Sequence, residues 1–429
     1  MKPSIKPRFG PPWMSTYSAV ILLVAVLINL ATSFTQYTHS VTLPSMQTAL
    51  GLSYTQAGVL ITGGWVVRNI SSFSAGTLAP RYGSRIIIGV STLLAGGSMI
   101  MLGASDNFWM ALSAMLLTGI GTGAALTPMM GLLSPWFSSK SRGLAAGLAS
   151  TGGSAAFIAS GVLVPWLTTR SPEHGWQHTW YIFGFLVLGI GVVSLFFIRD
   201  DPDQSSKGSP NAIQKGRKEG QTRPRNAWPV AAYKNRFVWL VTFMVFLSGW
   251  SQGVFHTFFV VYITQENGIS LSTAGVLLVV MGVLGAGSGV MSGRISDSIG
   301  RPKGFFITFM FHAVGYGLFW IVPNIGVFVI CAILIGLTLR SSYVICAASA
   351  GDYVPGHAAT AAFGLMSVGA GLGTAISPTL AGVIADATGT LRWSFTLAFG
   401  ASIVAMAASL LLHRMTARQS RVVPEAPTE

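Results

Sequence analysis

Charged residues are scarce in this chain, and acidic residues are scarcer than basic ones. Of its 429 residues, 9% are charged, only 12 are Asp or Glu, and 51% are hydrophobic. A soluble domain carries roughly 25% charged residues because its surface has to be hydrated. The shortage of charge therefore excludes an ordinary soluble protein of this length and indicates that much of the surface faces lipid.

Cysteine is rare as well, and the residue patterns of enzymes do not occur. Cys331 and Cys346 lie in apolar stretches without metal-binding spacing, so we interpret both as buried apolar side chains. No phosphate-binding loop, cluster of metal ligands or nucleophile with a neighbouring base can be identified. We therefore predict that the protein is not an enzyme and that it has no catalytic residue, no metal and no cofactor.

Apolar runs long enough to cross a membrane follow one another along the chain. A helix that crosses the hydrocarbon layer needs roughly 20 apolar residues, and an open strand there would leave its backbone groups unsatisfied. The first run is too long for the apolar region of a signal peptide. The sequence therefore predicts an all-α membrane protein with twelve transmembrane helices. The predicted spans are 17–38, 55–78, 86–102, 108–133, 143–167, 179–198, 237–263, 273–292, 305–322, 327–348, 361–385 and 393–412.

The basic residues mark one side of these spans. The net charge is +14, but Lys and Arg are placed between apolar runs, which argues against a nucleic-acid partner. They concentrate at the chain ends, in alternate loops and in the polar segment 199–236, while the opposite loops hold only Arg170 and Arg392. Because cytoplasmic loops carry the excess of Lys and Arg, we predict a bacterial-type inner membrane protein with both termini in the cytoplasm.

The two halves of the chain match each other at a shift of 217 residues, hereafter the repeat shift. Ala57-Gly58-Val59-Leu60 corresponds to Ala274-Gly275-Val276-Leu277, and further glycines recur without a gap. This series indicates a duplication, and parallel repeats imply a cavity between two bundles. We predict two parallel-repeat six-helix bundles. The predicted domains are an N-terminal bundle (1–198), a cytoplasmic linker (199–236), a C-terminal bundle (237–413) and a cytoplasmic tail (414–429).

A short motif follows the second span of each half. It holds Gly76, Arg81, Gly83 and Arg85 in the first half and Gly293, Asp297, Gly300 and Arg301 in the second. The motif resembles the G-x-L-x-D-R-x-G-R-R pattern of the major facilitator superfamily. This resemblance covers nearly the whole chain and implies alternating access, with these residues forming a cytoplasmic latch. The first half departs from the pattern, since Pro80 stands where the family has Asp.

A narrower likeness lies in the fifth and eleventh spans. The segment from Trp136 to Gly147 and the segment from Ser377 to Gly389 resemble the monocarboxylate and oxalate–formate branch of the superfamily and its bacterial relatives. The eighth span lacks the Arg of the better-known members, so we take no substrate from this branch.

Two arginines, Arg68 and Arg340, lie inside predicted spans, while no Asp or Glu does. A charge at the bilayer centre costs at least ~2.5–3.5 kcal/mol, so it normally faces a cavity or a partner. The repeat shift relates them to Gly285 and Gly123, so neither has a basic counterpart. We interpret them as a binding site for an anionic solute; the alternative is that each bonds backbone carbonyls or reaches water.

Of the two arginines, Arg340 is the favoured binding residue, because the resemblance implies that the tenth span lines the cavity. For Arg68, which lies in the second span, a role in gating is the alternative to substrate binding.

Polar residues of the cavity-lining spans are the next candidates. The resemblance implies that the first and seventh spans line the cavity, and Tyr343 follows Arg340 by three residues, on one helical face. Histidine carries a proton near neutral pH, so two histidines are candidates for proton coupling. The further substrate-binding candidates are Gln36, Tyr37, Gln252, His256 and Tyr343, and the proton-coupling candidates are His256 and His39. For each of them, helix packing is the alternative, and His312 is predicted to be structural.

These observations leave three hypotheses for function. The first is a secondary active transporter that moves a small organic anion, a mono- or dicarboxylate, through a midplane site, with a proton or a counter-anion as its partner. The second is an efflux carrier for drug-like, neutral or cationic compounds, and the third is a transporter-like receptor. In each case we predict a lipid-embedded protein, and the family resemblance implies a monomer.

Overall fold

The computed structural model describes residues 16–137, 141–171, 173–200, 230–320, 324–354 and 356–422. Nearly all of these residues are helical, which confirms the predicted all-α class. Most of the predicted linker, residues 201–229, lies outside the described residues, as does the end of the predicted tail.

Seven helices belong to the first half and the segment that leads into the second. These are α1 (Thr16–Leu50), α2 (Tyr54–Tyr82), α3 (Ser84–Gly103), α4 (Phe108–Trp136), α5 (Arg142–Arg170), α6 (Gly175–Phe197) and the short α7 (Val230–Tyr233).

Seven further helices form the second half. These are α8 (Arg236–Val261, extended by a π-helical turn, Tyr262–Glu266), α9 (Leu271–Ile299), α10 (Arg301–Gly317), α11 (Ile325–Thr338), α12 (Ser341–Tyr353), α13 (Gly356–Thr388) and α14 (Arg392–Val422).

The span count is lower than the predicted twelve when length and hydropathy are both required. Among the described residues, ten helical segments are long and apolar enough to cross a membrane. The predicted spans 55–78 and 305–322 are not among them. α2 carries Arg68, Asn69 and many small polar residues, and α10 has only 17 residues, fewer than the roughly 20 that a crossing needs.

The internal repeat is preserved in the backbone. Gly51 and Gly268 have φ of 60° and 66°, and Gly83 and Gly300 have φ of 85° and 92°. These left-handed values favour glycine, and each pair is related by the repeat shift. The side chain of Asn107 accepts a hydrogen bond from the amide of Met110, and the matched Asn324 does the same for Val327. Each such cap contributes about 1 kcal/mol to its helix.

The described residues divide into two compact units. The first unit consists of residues 1–37, 66–157 and 170–226, apart from those not described. Its core holds Trp176, Trp180 and Phe183, and Phe34 of α1 stacks on Phe183 with ring centroids 4.2 Å apart. Large aromatic rings of this kind bury roughly 150–250 Å² each.

The second unit consists of residues 38–65, 158–169 and 227–429, apart from those not described. It therefore includes one end of α1, of α2 and of α5 together with the helices of the second half. Phe319 lies at the centre of its aromatic core, stacked on Phe395 at 4.3 Å and close to Phe259 and Tyr262.

Candidate functional site

The tenth span is broken at Arg340. The sequence predicted one continuous helix, but α11 ends at Thr338 and α12 begins at Ser341. Between them Arg340 has φ −109° and ψ −1°, and its amide donates to the hydroxyl of Ser288 on α9 at 3.2 Å. The predicted tenth span is still one apolar helical segment, Ile325–Tyr353, but it is locally interrupted at Leu339 and Arg340, where an acceptor 52 residues away in the chain replaces the intrahelical one.

The break places two positive features together. The first amide groups of a helix carry partial positive charge, and α12 begins directly after Arg340. Discontinuous helices of this kind present a helix N-terminus to anionic groups in membrane transporters. The half-buried Arg340 is thus placed where a charged side chain and a helix dipole favour the same anion.

A chain of hydroxyls connects this break to α8. The hydroxyl of Ser248 donates to Ser342 at 2.8 Å, and the side-chain amide of Gln252 donates to Ser248 at 3.2 Å. The predicted site residue Gln252 therefore contacts, through one serine, the second residue after Arg340. Ser248, Ser288 and Ser342 were not among the predicted site residues, because serine is common in these spans and nothing local distinguishes the three.

Tyr343 is in a different environment. Its side chain is 58% exposed and its ring packs edge-on against Phe363 of α13, with centroids 5.5 Å apart. Arg340 and Tyr343 share the first turn of α12, since the amide of Val344 donates to the carbonyl of Arg340 at 3.1 Å. The role of Tyr343 in binding stays a prediction.

Arg68 lies in the middle of α2, in the first unit. α4 passes very close to it, since a Cβ atom added at Gly123 would lie 2.2 Å from the carbonyl oxygen of Arg68. Tyr37 of α1 interacts electrostatically with Arg68, and the Tyr37 ring packs against Phe157 at 4.3 Å. The structure thus brings together the predicted residues Arg68 and Tyr37. Gln36, next to Tyr37, is half-buried.

Three histidines of the second unit interact electrostatically: His39 of α1, His256 of α8 and His312 of α10. His39 is buried and His256 is half-buried. His312 is fully buried, and its ring lies 6.3 Å from Phe309 and 5.9 Å from Tyr316. Within the described residues, neither ring nitrogen of His312 has a hydrogen-bond partner. The structure thus brings both proton-coupling candidates near one another.

Arg301 forms the ionic part of the predicted latch in the second half. It pairs with Asp297, it donates to Asp352 at 2.8 Å, and it also donates to the hydroxyl of Ser296 at 2.8 Å. Burial lowers the pKa of Arg301, but the hydrogen bonds with Asp352 and Asp297 outweigh it, so the pKa lies above its ordinary value. Gly300 is the residue that precedes α10, and Gly293 lies against Val344.

The matching loop of the first half is built differently. By the repeat shift, Ser84, Pro80 and Pro135 stand in place of Arg301, Asp297 and Asp352, so the ionic triad has no counterpart. Here Asp200 accepts the amide of Arg85 at 2.9 Å. The guanidinium of Arg85 donates to the carbonyl of Leu195.

Three other residues of the predicted latch lie around this loop. Gly83 is the residue that precedes α3, and it lies beside Asp200. Arg81 and Gly76 are both exposed, and Gly76 lies near Thr127. Asp200, which the sequence analysis placed in the linker, thus takes part in the first-half loop.

The Arg301–Asp352 pair is expected to contribute modestly to stability. Because both side chains are partly exposed, Arg301→Ala and Asp352→Ala should show a coupling free energy of about 0.2–1 kcal/mol in a double-mutant cycle of chemical unfolding in mild detergent. Arg294→Ala combined with Asp352→Ala is the matched control, since Arg294 is exposed at the same ends of the helices. A coupling no larger than in this control would contradict the pairing.

At the opposite helix ends, residues of α13 cap α2. The carboxylate of Asp386 accepts the amide hydrogens of Tyr54 at 2.9 Å and Thr55 at 2.8 Å. A carboxylate there satisfies free amides and complements the helix dipole. Glu266 accepts from the hydroxyl of Thr390 at 2.6 Å and from the hydroxyl of Tyr54 at 3.5 Å. All of these residues belong to the second unit.

Two glycine crossings lie beside this cap. A Cβ atom at Gly58 would lie 2.3 Å from the carbonyl oxygen of Pro378, so α2 and α13 are in backbone contact. At the matched position, a Cβ atom at Gly275 would lie 2.1 Å from the carbonyl oxygen of Gly161, so α9 and α5 are in backbone contact as well. The repeat shift relates Gly58 to Gly275 and Pro378 to Gly161. The two crossings are therefore equivalent parts of the duplicated fold.

The sequence of this chain matches a known protein family and several transporters. The sequence model of the Major Facilitator Superfamily matches residues 25–255 and 238–428. A probable sulfoacetate transporter of Cupriavidus necator is 24% identical over 92% of this chain and 93% of its own. A hexuronate transporter of Bacillus subtilis is 25% identical over 85% of this chain and 87% of its own. Human monocarboxylate transporter 2 is 26% identical over 78% of this chain and 72% of its own.

A solved structure shows the same fold. A bacterial homologue of the human lysosomal transporter Spinster, in an inward-facing and unoccupied conformation, superposes with a TM-score of 0.76. The match covers 94% of this chain and 98% of that one at 15% identity, so it supports the fold alone. With a family model that spans both halves, the chain is a multi-pass membrane transporter of the Major Facilitator Superfamily.

Proposed function

We propose that this protein is a secondary active transporter that moves a small organic anion by alternating access. The observation that carries the proposal is Arg340 at the break of the tenth span, followed directly by the N-terminus of α12. Arg presents a planar fork that binds a carboxylate through two hydrogen bonds. The sulfoacetate and hexuronate named for two relatives are organic anions, which supports the same class.

The other candidate site residues have the following roles in this proposal. Gln252 orients the anion from α8 through its contact with Ser248. Arg68 and Tyr37 form a second polar group, which binds the solute or gates its path. His256 and His39 carry the proton if transport is coupled to protons, and exchange for a counter-anion needs neither.

The ends of the helices supply the two gates of the proposal. The loops with the excess of basic residues are cytoplasmic, so the Arg301 triad and the Asp200–Arg85 contact form the cytoplasmic latches. The cap at Asp386 and the two glycine crossings form the outer gate. We further propose an inner-membrane monomer with both termini in the cytoplasm, in which a six-helix bundle (1–198), a linker (199–236), a second bundle (237–413) and a tail (414–429) follow one another.

Uptake into proteoliposomes tests the function. The purified full chain is reconstituted and given radiolabelled carboxylates, sulfoacetate, a hexuronate and an uncharged hexose, with and without an imposed pH gradient. We expect uptake of at least one acid and none of the hexose. If no acid moves while neutral or cationic compounds are extruded, the protein is an efflux carrier. Saturable binding of an acid without any transport would indicate a receptor.

A further inference from the structure

Two apolar grooves lie at matched positions in the two halves. The first groove, between α2, α3 and α4, has a volume of about 390 Å³. The second groove, between α9, α10 and the α11–α12 break, has a volume of about 310 Å³. Most of their lining residues are related by the repeat shift. The three matched pairs of small residues are Ala75 with Ser292, Ser91 with Thr308, and Ala124 with Ser341.

These small residues explain why both grooves exist. Each of the three helices that form a groove contributes one of them, so no side chain fills the space between the helices. The candidate anion site, by contrast, breaks the repeat, since Arg340 has no counterpart. Large apolar side chains that line the first groove, Leu78, Ile86 and Val90, are exposed, so the groove opens on an apolar surface of the kind that suits contact with lipid.

The lining suits hydrocarbon and not a polar solute. The hydroxyls of Ser292, Thr308 and Thr338 donate to carbonyl groups of their own helices, at 3.2, 3.0 and 2.9 Å. The hydroxyl hydrogens of these three residues are thus already used within the helix, and no charged side chain of the described residues lines the second groove. A polar molecule in the groove would lose its bonds to water without gaining equivalent ones.

The length of the first groove corresponds to one leaflet. It runs along α2 from Ser71 to Tyr82. At ~1.5 Å per helical residue this is about 16 Å, close to half of the ~30 Å hydrocarbon core. The Tyr82 end lies at the basic loops, so the groove spans the leaflet on that side.

Basic residues neighbour the residues that line one end of each groove. The guanidinium of Arg81 lies 5.5 Å from the ring centroid of Tyr82, which lines the first groove. Arg294 and Lys303 are exposed and directly neighbour Ile295 and Gly304, which line the second. An anionic group at these positions gains about 1 kcal/mol for each nearby basic residue.

We propose that each groove holds one acyl chain of an anionic phospholipid from the leaflet on the basic side. The headgroup meets Arg81 at the first groove and Arg294 with Lys303 at the second. This inference does not depend on which solute is transported, and it survives if the transport proposal fails.

Native mass spectrometry of the full-length protein tests the proposal. The protein in mild detergent is titrated with dioleoylphosphatidylglycerol, and we expect two tightly retained molecules. Ser91→Phe fills the first groove and should leave one. Val192→Phe is the matched control, since Val192 is exposed on α6 and lines neither groove, and it should leave two. Two equally retained lipids in Ser91→Phe would overturn the proposal.

Further binding experiments distinguish the contribution of the lipid headgroup from that of the acyl chain. Neutralising Arg294 and Lys303 by R294Q and K303Q should weaken phosphatidylglycerol binding about fivefold for each charge and leave dioleoylphosphatidylcholine unchanged. Dihexanoylphosphatidylglycerol, with the same headgroup and short chains, should not be retained. Equal binding of the two dioleoyl lipids, or retention of the short-chain lipid, would also overturn the proposal. These experiments stay decisive if Ser91→Phe does not fold.

Discussion

Replacing Arg340 by Gln is expected to reduce uptake of the transported acid strongly, through a loss of substrate affinity. Hydrogen bonds to charged groups contribute about 1.5–3 kcal/mol, so their loss lowers substrate affinity roughly 10- to 150-fold. Arg340→Lys should retain part of the activity, because an ammonium group keeps the charge but not the planar fork. The measurement is initial uptake rate in proteoliposomes over a range of substrate concentrations, with equal amounts of inserted protein.

Two further arginine variants are compared with Arg340→Gln. Arg170→Gln removes the arginine that ends α5, outside the predicted spans, and it should leave uptake unchanged. Arg68→Gln, measured beside it, separates two roles: a raised Michaelis constant indicates binding, and a lowered maximal rate indicates gating. If Arg340→Gln transports the acid normally, the anion site is wrong. Neutral and cationic compounds should then be screened for efflux.

Replacing Gly58 and Gly275 by Leu is expected to hold the proposed outer gate open and to stop transport. At both positions even a Cβ atom would overlap a backbone carbonyl oxygen. Overpacking costs about 1–3 kcal/mol at each site, so the double variant disfavours the closed state by more than tenfold. The backbone of the facing helix cannot move aside as a flexible side chain does.

Accessibility to a thiol reagent measures this shift. In a background without Cys331 and Cys346, the variant Gln252→Cys is labelled from the outside with a membrane-impermeant maleimide. Labelling should become faster in the Gly58→Leu, Gly275→Leu protein. The control is Gly287→Leu on α9, because nothing lies within 4 Å of the Cβ position there. Unchanged labelling together with normal uptake would show that the crossings do not form a gate.

Hydropathy and charge in the sequence determined the general architecture of this protein. Apolar runs separated by short polar segments leave helices in lipid as the stable solution, because backbone groups in the bilayer must be satisfied within the element. The repeat was visible because glycines such as Gly51 and Gly83 recur at their partner positions, where each performs a local task. A positive φ or an N-cap depends on neighbouring residues, so it remains legible in a single sequence.

Tertiary contacts decided the details of the candidate site. Arg340 was identified from its charge, but the break at this residue depends on Ser288 of α9. The cap of α2 depends on Asp386, which is more than 300 residues away in the chain. Asp200 acts at the first-half loop because α6 ends next to it. Local sequence determined where helices form, since helical hydrogen bonds join residues four apart. Side chains distant in the sequence decide where a helix breaks or is capped by another helix. Only the packing of the folded chain brings these side chains into place.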